Sequence, residues 1–278
     1  MIRFKRALLL AAVTMFGIAI ACGGPTTPSG GTTPPVVVPP TPPPTPNNAP
    51  TITAVTLSSP RVEADQEITV TATVTDDVTP VGQLTYEWSA GPVSGAFTGS
   101  GAQVRWRAPH GQPTPGVYTL TLTVTENYTE SGVARQNKAT AAAQVRYNDS
   151  YAEVSRLSID FLKDFGTYTT SPEQCVRNFS DNCRGKADEL SDIRANRVNF
   201  QIQSAALGTP AILFDGKLSF ANSDLPCTFV SIQKATGKTE TATGTCLLTA
   251  VYEDFKWFLC DSHFIGTNST NAIRGLHP

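Results

Sequence analysis

Two side chains on the last predicted strand have the types and spacing that acid–base chemistry needs. Asp261 and His263 lie two apart, so on an extended strand they share a face. A carboxylate beside an imidazole is the minimum for proton transfer at neutral pH. The competing reading is a histidine hydrogen-bonded near a strand end. The other histidines are His110 and His277, and neither stands in a catalytic or metal-type spacing. Tyr168 and Asp160 have no spacing that assigns a role. Asp76-Asp77 is an acidic pair of a kind that helps hold Ca²⁺ in loops, but such a pair also reads as solvated turn chemistry. No His/Cys cluster, phosphate-binding glycine loop or serine elbow is present, so no metal and no cofactor is expected.

Cysteine is the second chemical signal. The chain has 6: Cys22, Cys175, Cys183, Cys227, Cys246 and Cys260. Thr236-Gly237 read as a two-residue turn sets Cys227 opposite Cys246, close enough to bridge. Cys175 and Cys183 lie across a predicted helix break and form the expected second bridge. Cys260 is then left as a buried free thiol.

The elements that position these residues follow from periodicity. From residue 148 on, Ser150-Tyr151-Ala152-Glu153 has the form of a capping box ahead of a stripe through Tyr151, Val154, Ser158, Phe161 and Phe165, with Leu157 and Leu162 beside it. Ser171-Pro172 starts a second helix, and a third is predicted over Lys186–Asn196. The period then falls to two. Strands are predicted from Val198 to Ile265, turning at Asp215-Gly216, Thr236-Gly237 and Glu253-Asp254. Helices followed by antiparallel strands define an α+β domain over 148–278.

Residues 51–147 alternate strictly. In Glu67–Thr75, Ile68, Val70, Ala72 and Val74 take one face and threonines the other. Tyr118, Leu120, Leu122 and Val124 repeat the pattern. Six or seven short strands here predict a two-sheet sandwich.

The first fifty residues build no core. The chain has 278 residues, formal net charge −2 and 40% hydrophobic residues, a composition that excludes a polytopic membrane protein, a strongly basic nucleic-acid binder and a disordered chain. Yet no charged side chain occurs between Ala7 and Pro60, and the prolines crowd between Pro25 and Pro50. Arg3, Lys5 and Arg6 precede an apolar run to Ala21 that is too short to span a bilayer and fits a secretory signal. The Pro/Thr/Gly-rich stretch 22–50 reads as a tether.

Three resemblances sharpen this picture. Ala19-Ile20-Ala21-Cys22 resembles a bacterial lipobox, which implies lipidation at Cys22, a chain secreted across the inner membrane, and anchoring in the envelope. The partner implied is the lipid bilayer through that anchor, in the outer membrane or on the periplasmic face. The segments Tyr86-Glu87-Trp88, Val104-Arg105-Trp106 and Gly116–Leu122 resemble Ig-like domains of the polycystic-kidney-disease (PKD) type. The first-helix pattern Leu157–Phe165 and the closing stretch Leu247–Phe264 resemble nuclear-transport-factor-2-like domains, in which helices pack in a curved antiparallel sheet to form a cone. The expected architecture is an all-β Ig-like sandwich followed by an α+β cone. The expected function is a non-catalytic binding, accessory or scaffold protein whose partner is an envelope protein, a membrane complex or a small ligand, with no nucleic acid. The alternatives are a hydrolase- or isomerase-type enzyme using Asp261 and His263 in the cone, and carbohydrate adhesion through Trp106, Arg105 and Arg107.

Overall fold

Strict alternation produces two sheets that face each other. In the computed structural model, which describes residues 46–91 and 95–267, strands β1 (Thr51–Leu57), β3 (Glu67–Thr75), β6 (Gln103–Arg107) and β5 (Ala96–Thr98) form one sheet in the order β1-β3-β6-β5. Strands β2 (Arg61–Glu63), β8 (Val133–Asn148), β7 (Gly116–Glu130) and β4 (Thr85–Ser89) form the other, in the order β2-β8-β7-β4. The apolar faces meet in two buried clusters, the larger drawing on both sheets. Val70, Val104 and Trp106 come from the first sheet, and Leu120, Val145 and Tyr147 from the second. The outward threonines leave the opposite faces to water. The hairpin β7–β8 is longer than its sequence pattern suggested. It stays in register from Gly116↔Tyr147 to Glu130↔Val133, turning at Ser131 and Gly132, both at positive φ.

Only Asp149 separates β8 from helix α1 (Ser150–Gly166). Asp149 is also the cap: its Oδ1 accepts from the Ala152 N–H at 3.0 Å. The capping box read from Ser150 and Glu153 therefore lies one residue off. Both side chains are buried and make long-range bonds instead. At the other end of the helix, a Cβ on Gly166 would stand 2.4 Å from the Ala205 Cβ, so the close helix–strand approach there requires glycine. Ser171 caps the short helix α2 (Pro172–Cys175), accepting from the Gln174 N–H at 3.1 Å, as its sequence predicts. Helix α3 covers Gly185–Asn199.

The third sheet runs β10 (Ala211–Phe214), β11 (Phe220–Gln233), β12 (Thr239–Glu253), β13 (Lys256–Gly266), with β9 (Phe200–Leu207) pairing beside β10 along β11. The helices fill its inner face. Val154, Leu157, Phe161 and Phe165 of α1 and Ile193 of α3 pack with Leu225, Phe229, Leu248, Leu259 and Phe264 in one core. This is an α+β arrangement of a few helices inside a curled antiparallel sheet.

Each turn differs in detail from its sequence reading. Asp215 pairs with Phe220 rather than turning beside it: its N–H reaches the Phe220 carbonyl at 2.9 Å, and its carboxylate accepts from the Ser219 and Phe220 N–H groups. The strand expected from Lys217 thus begins at Phe220. The two-residue turn near 254 is Asp254-Phe255, both at positive φ, with Glu253 paired to Lys256. Gln233 and Lys238 close a longer loop where Thr236-Gly237 was expected to turn alone.

Candidate functional site

The register shift at that last loop decides the cysteine chemistry. Cys227 stands opposite Gly244, and Cys246 opposite Leu225, so the two cysteines lie diagonally on the inner face. They form a disulfide across a Cα–Cα distance of 6.0 Å. The second bridge is not the expected Cys175–Cys183. Cys183 bonds Cys260, 5.2 Å away between Cα atoms, and Cys175 is the buried free thiol. The reason lies in β13. Its pairing slips between Thr249↔Asp261 and Ala250↔Leu259, which leaves Cys260 as an extra residue in a β-bulge. The bulge turns Cys260 toward the loop ahead of α3. Gly185 packs so tightly there that a Cβ would lie 2.1 Å from the Cys260 carbonyl oxygen. Cys175 sits beside Arg197, with Nη2 3.5 Å from Sγ, yet burial pushes its thiol up to about 11.

The same bulge separates Asp261 and His263 from Trp257 and Leu259. Before it, Trp257 and Leu259 point inward; after it, Ser262 and Phe264 do. Asp261 and His263 therefore share the outer face, opposite Thr249 and Leu247. The two side chains do meet: Nε2 of His263 lies 3.0 Å from Oδ2 of Asp261, with 39% and 37% of each exposed. The other carboxylate oxygen of Asp261 accepts from the Ser262 N–H at 2.9 Å. The pair is a partly exposed carboxylate–imidazole contact on the outer face of the sheet, not a constellation inside the cone. Tyr168 is used elsewhere, with the Lys234 ammonium 5.1 Å from its ring centroid. Asp160 is half-buried on α1.

The inner face is occupied by side chains. Phe161 meets Phe179 at 5.1 Å between ring centroids, Phe165 meets Phe229 at 5.2 Å and Phe229 meets Phe264 at 6.2 Å. At the other end, Trp257 packs between Phe214 and Tyr252 at 5.5 and 5.4 Å. Polar groups inside are few and mostly pair with one another. Ser158 donates to Val154 O and bonds Ser223 Oγ, each at 2.9 Å. Glu189 is fully buried and accepts from the Ser262 hydroxyl on one oxygen, while its other oxygen has no hydrogen-bond partner. Burial drives its pKa well above the carboxylate range. The Ser262 bond opposes this only in part, and the charges of Asp192 and Asp261 add to it. Sequence reading missed Glu189. The signal was present, since Glu189, Ile193 and Asn196 recur at helical spacing on the buried face of α3.

Among the described residues, no three His, Cys, Asp or Glu side chains gather as a metal centre, and no helix is long and apolar enough to cross a membrane. In the sandwich, Trp106 is fully buried, and the Trp88 indole N–H is bonded to the Gly101 carbonyl at 3.0 Å. Trp106 thus offers no face to a sugar. Cys22, the signal segment and most of the tether lie outside the described residues.

The sequence matches no protein-family model and no curated protein. Among solved structures, the chain is similar to a nuclear-transport-factor-2-like superfamily protein from Salmonella enterica serovar Typhimurium, at 15% identity and a TM-score of 0.36, over 44% of this chain and 94% of that one. It is also similar to a ketosteroid isomerase-like protein from Erwinia carotovora, at 13% identity and a TM-score of 0.38, over 44% of this chain and 99% of that one.

Proposed function

We propose that this chain is a lipid-anchored envelope protein with a non-catalytic binding or scaffold role. In this reading an Ig-like sandwich on a tether from Cys22 presents the α+β cone to an envelope partner. The observation that carries the reading is the filled inner face. Phe161, Phe165, Phe179, Phe229, Phe264 and the Cys227–Cys246 bridge occupy the volume that a buried reaction would need. The two carboxylate–imidazole pairs, Asp261–His263 on the opposite face of the sheet and Asp65–His110 on the sandwich, are each more than a third exposed. Binding then falls to outer surfaces. The competing enzyme reading keeps a single support, the 3.0 Å contact between Asp261 and His263.

Two measurements test the reading. An apolar dye such as anilinonaphthalene sulfonate should gain no fluorescence with the native protein; saturable binding of one dye per chain would mean a hollow cone and would favour the enzyme. Cys22→Ala should move the protein from the membrane to the soluble fraction, and unchanged fractionation would remove the lipid anchor from the proposal.

A further inference from the structure

Helix α3 has a thin apolar hold on the sheet. Its buried side chains are Glu189, Ile193 and Asn196, and only Ile193 is apolar. Leu190 adds a partly buried contact. Helix α1, by contrast, buries Val154, Leu157, Phe161, Leu162 and Phe165. A segment with few buried apolar contacts is among the first to open. Both ends of α3 are nevertheless fixed. Cys183, just ahead of the helix, is bonded to Cys260, and β9 follows directly at Phe200. Arg197 in the last turn donates to the Thr167 and Thr170 carbonyls, and the Lys234 ammonium donates to the Arg197 carbonyl at 2.6 Å. The middle of α3 is thus free to part from the sheet while its ends stay in place.

Glu189 sits in that middle. It is 0% exposed, accepts one hydrogen bond, from the Ser262 hydroxyl of β13, and has no partner for Oε1. Among the described residues no Lys, Arg or His forms an ion pair with it. The titratable groups around it are Asp192 on α3 itself, Asp261 on β13 and the Cys175 thiol on α2. His263 lies beyond Asp261 and is paired to it on the outer face. Strand β9, which α3 also packs on, has no titratable side chain from Phe200 to Leu207. A carboxylate here would meet two like charges and one neutral donor. With α3 closed, Glu189 therefore keeps its proton.

We propose that α3 is a pH-operated latch: protonated Glu189 holds its middle against β13, and loss of that proton to solvent as pH rises releases it from the sheet. The closed helix favours the acid and the open helix favours the hydrated anion. The open fraction should therefore grow about tenfold per pH unit, from the exposed glutamate value of about 4.3 up to the raised value of the closed helix. What opens is the flank of the cone where α3 covers β13 and β9. The latch depends neither on the lipid anchor nor on the partner proposed above.

Amide hydrogen exchange of the full chain in detergent, read on peptides from α3, tests it. Glu189→Gln has the same exchange chemistry without the proton, so the ratio of the two rates removes the ordinary pH dependence. Between about pH 5.5 and pH 7.5 the parent-to-variant ratio should rise about tenfold per unit. Glu189→Met, of similar volume and also without a proton, serves as the reference if Glu189→Gln does not fold. Exchange in α3 should be faster than in α1 and unchanged by low urea, because a local opening exposes little new surface. A ratio that stays level with pH, or an α3 rate as urea-dependent as that of α1, would overturn the latch.

Discussion

The Trp257 indole N–H donates to Ser150 Oγ at 2.7 Å, joining the last strand of the cone to the first residue of its first helix. Ser150 Oγ also accepts from Arg61 of the sandwich at 3.0 Å. Arg61 pairs with Glu63, whose other oxygen accepts from the Ser150 N–H at 3.0 Å. Asn148 bonds both Glu153 and Tyr252, and Thr114 bonds Glu153. A buried polar network thus fastens one half to the other. Calorimetry should show one cooperative unfolding transition for both halves. Ser150→Ala takes the acceptor from the buried Trp257 indole N–H and one of several from Arg61, and should cost about 1–3 kcal/mol. Two well-separated transitions would contradict the coupling.

The cysteine pairing predicts a distinct peptide map. Non-reducing digestion should give Cys183 linked to Cys260 and Cys227 linked to Cys246, with Cys175 alkylated only after unfolding. The first bridge spans 77 residues and the second 19. On the chain-entropy relation, losing them should cost about 4.5 and 3.3 kcal/mol respectively. Cys260→Ser should therefore destabilise the fold more than Cys246→Ser. At pH 8 the native thiol should resist iodoacetamide, since burial holds Cys175 at about 11.

Glu189 gives the fold a pH slope. Its pKa is raised in the folded chain, so the folded state holds its proton more tightly than the unfolded one. The resulting stability is full below the unfolded glutamate pKa of about 4.3 and is lost as pH rises toward the folded value. Urea unfolding between pH 4 and pH 9 should show a falling free energy. Glu189→Gln keeps the shape without the titration and should flatten that slope; an unchanged slope would assign it to other groups.

Asp261 and His263 should be nearly silent in stability. An exposed ion pair of this kind contributes roughly 0–1 kcal/mol, and salt screens it further. The double variant Asp261→Ala/His263→Ala should unfold within that margin of the parent, as urea denaturation would show.

Which features the sequence disclosed follows from how local each one is. The alternation through Ile68, Val70 and Ala72 and the stripe through Leu157, Phe161 and Phe165 are short-range, and the corresponding sheets and helix are where the pattern put them. The Ser171 cap is equally local. Errors came where one residue changes the count. Asp149 rather than Ser150 caps α1, because both residue types make good caps and only packing against Arg61 and Trp257 chose between them. The Cys227–Cys246 bond was read from a direct pairing, and the true register makes it diagonal. The burial of Glu126 and Glu189 was not legible, since a lone carboxylate in a strand or helix reads as solvated until its cover is known.

The bulge at Cys260 shows how much hangs on that count. One supernumerary residue, stapled by Cys183, decides whether the carboxylate–imidazole pair looks outward to solvent or inward among the phenylalanines. No substitution in β13 does the same, because alternation follows position, not chemistry. For this architecture, then, an insertion or deletion in a single strand reverses which side chains face inward, a class of change that comparisons of residue identity alone would pass over.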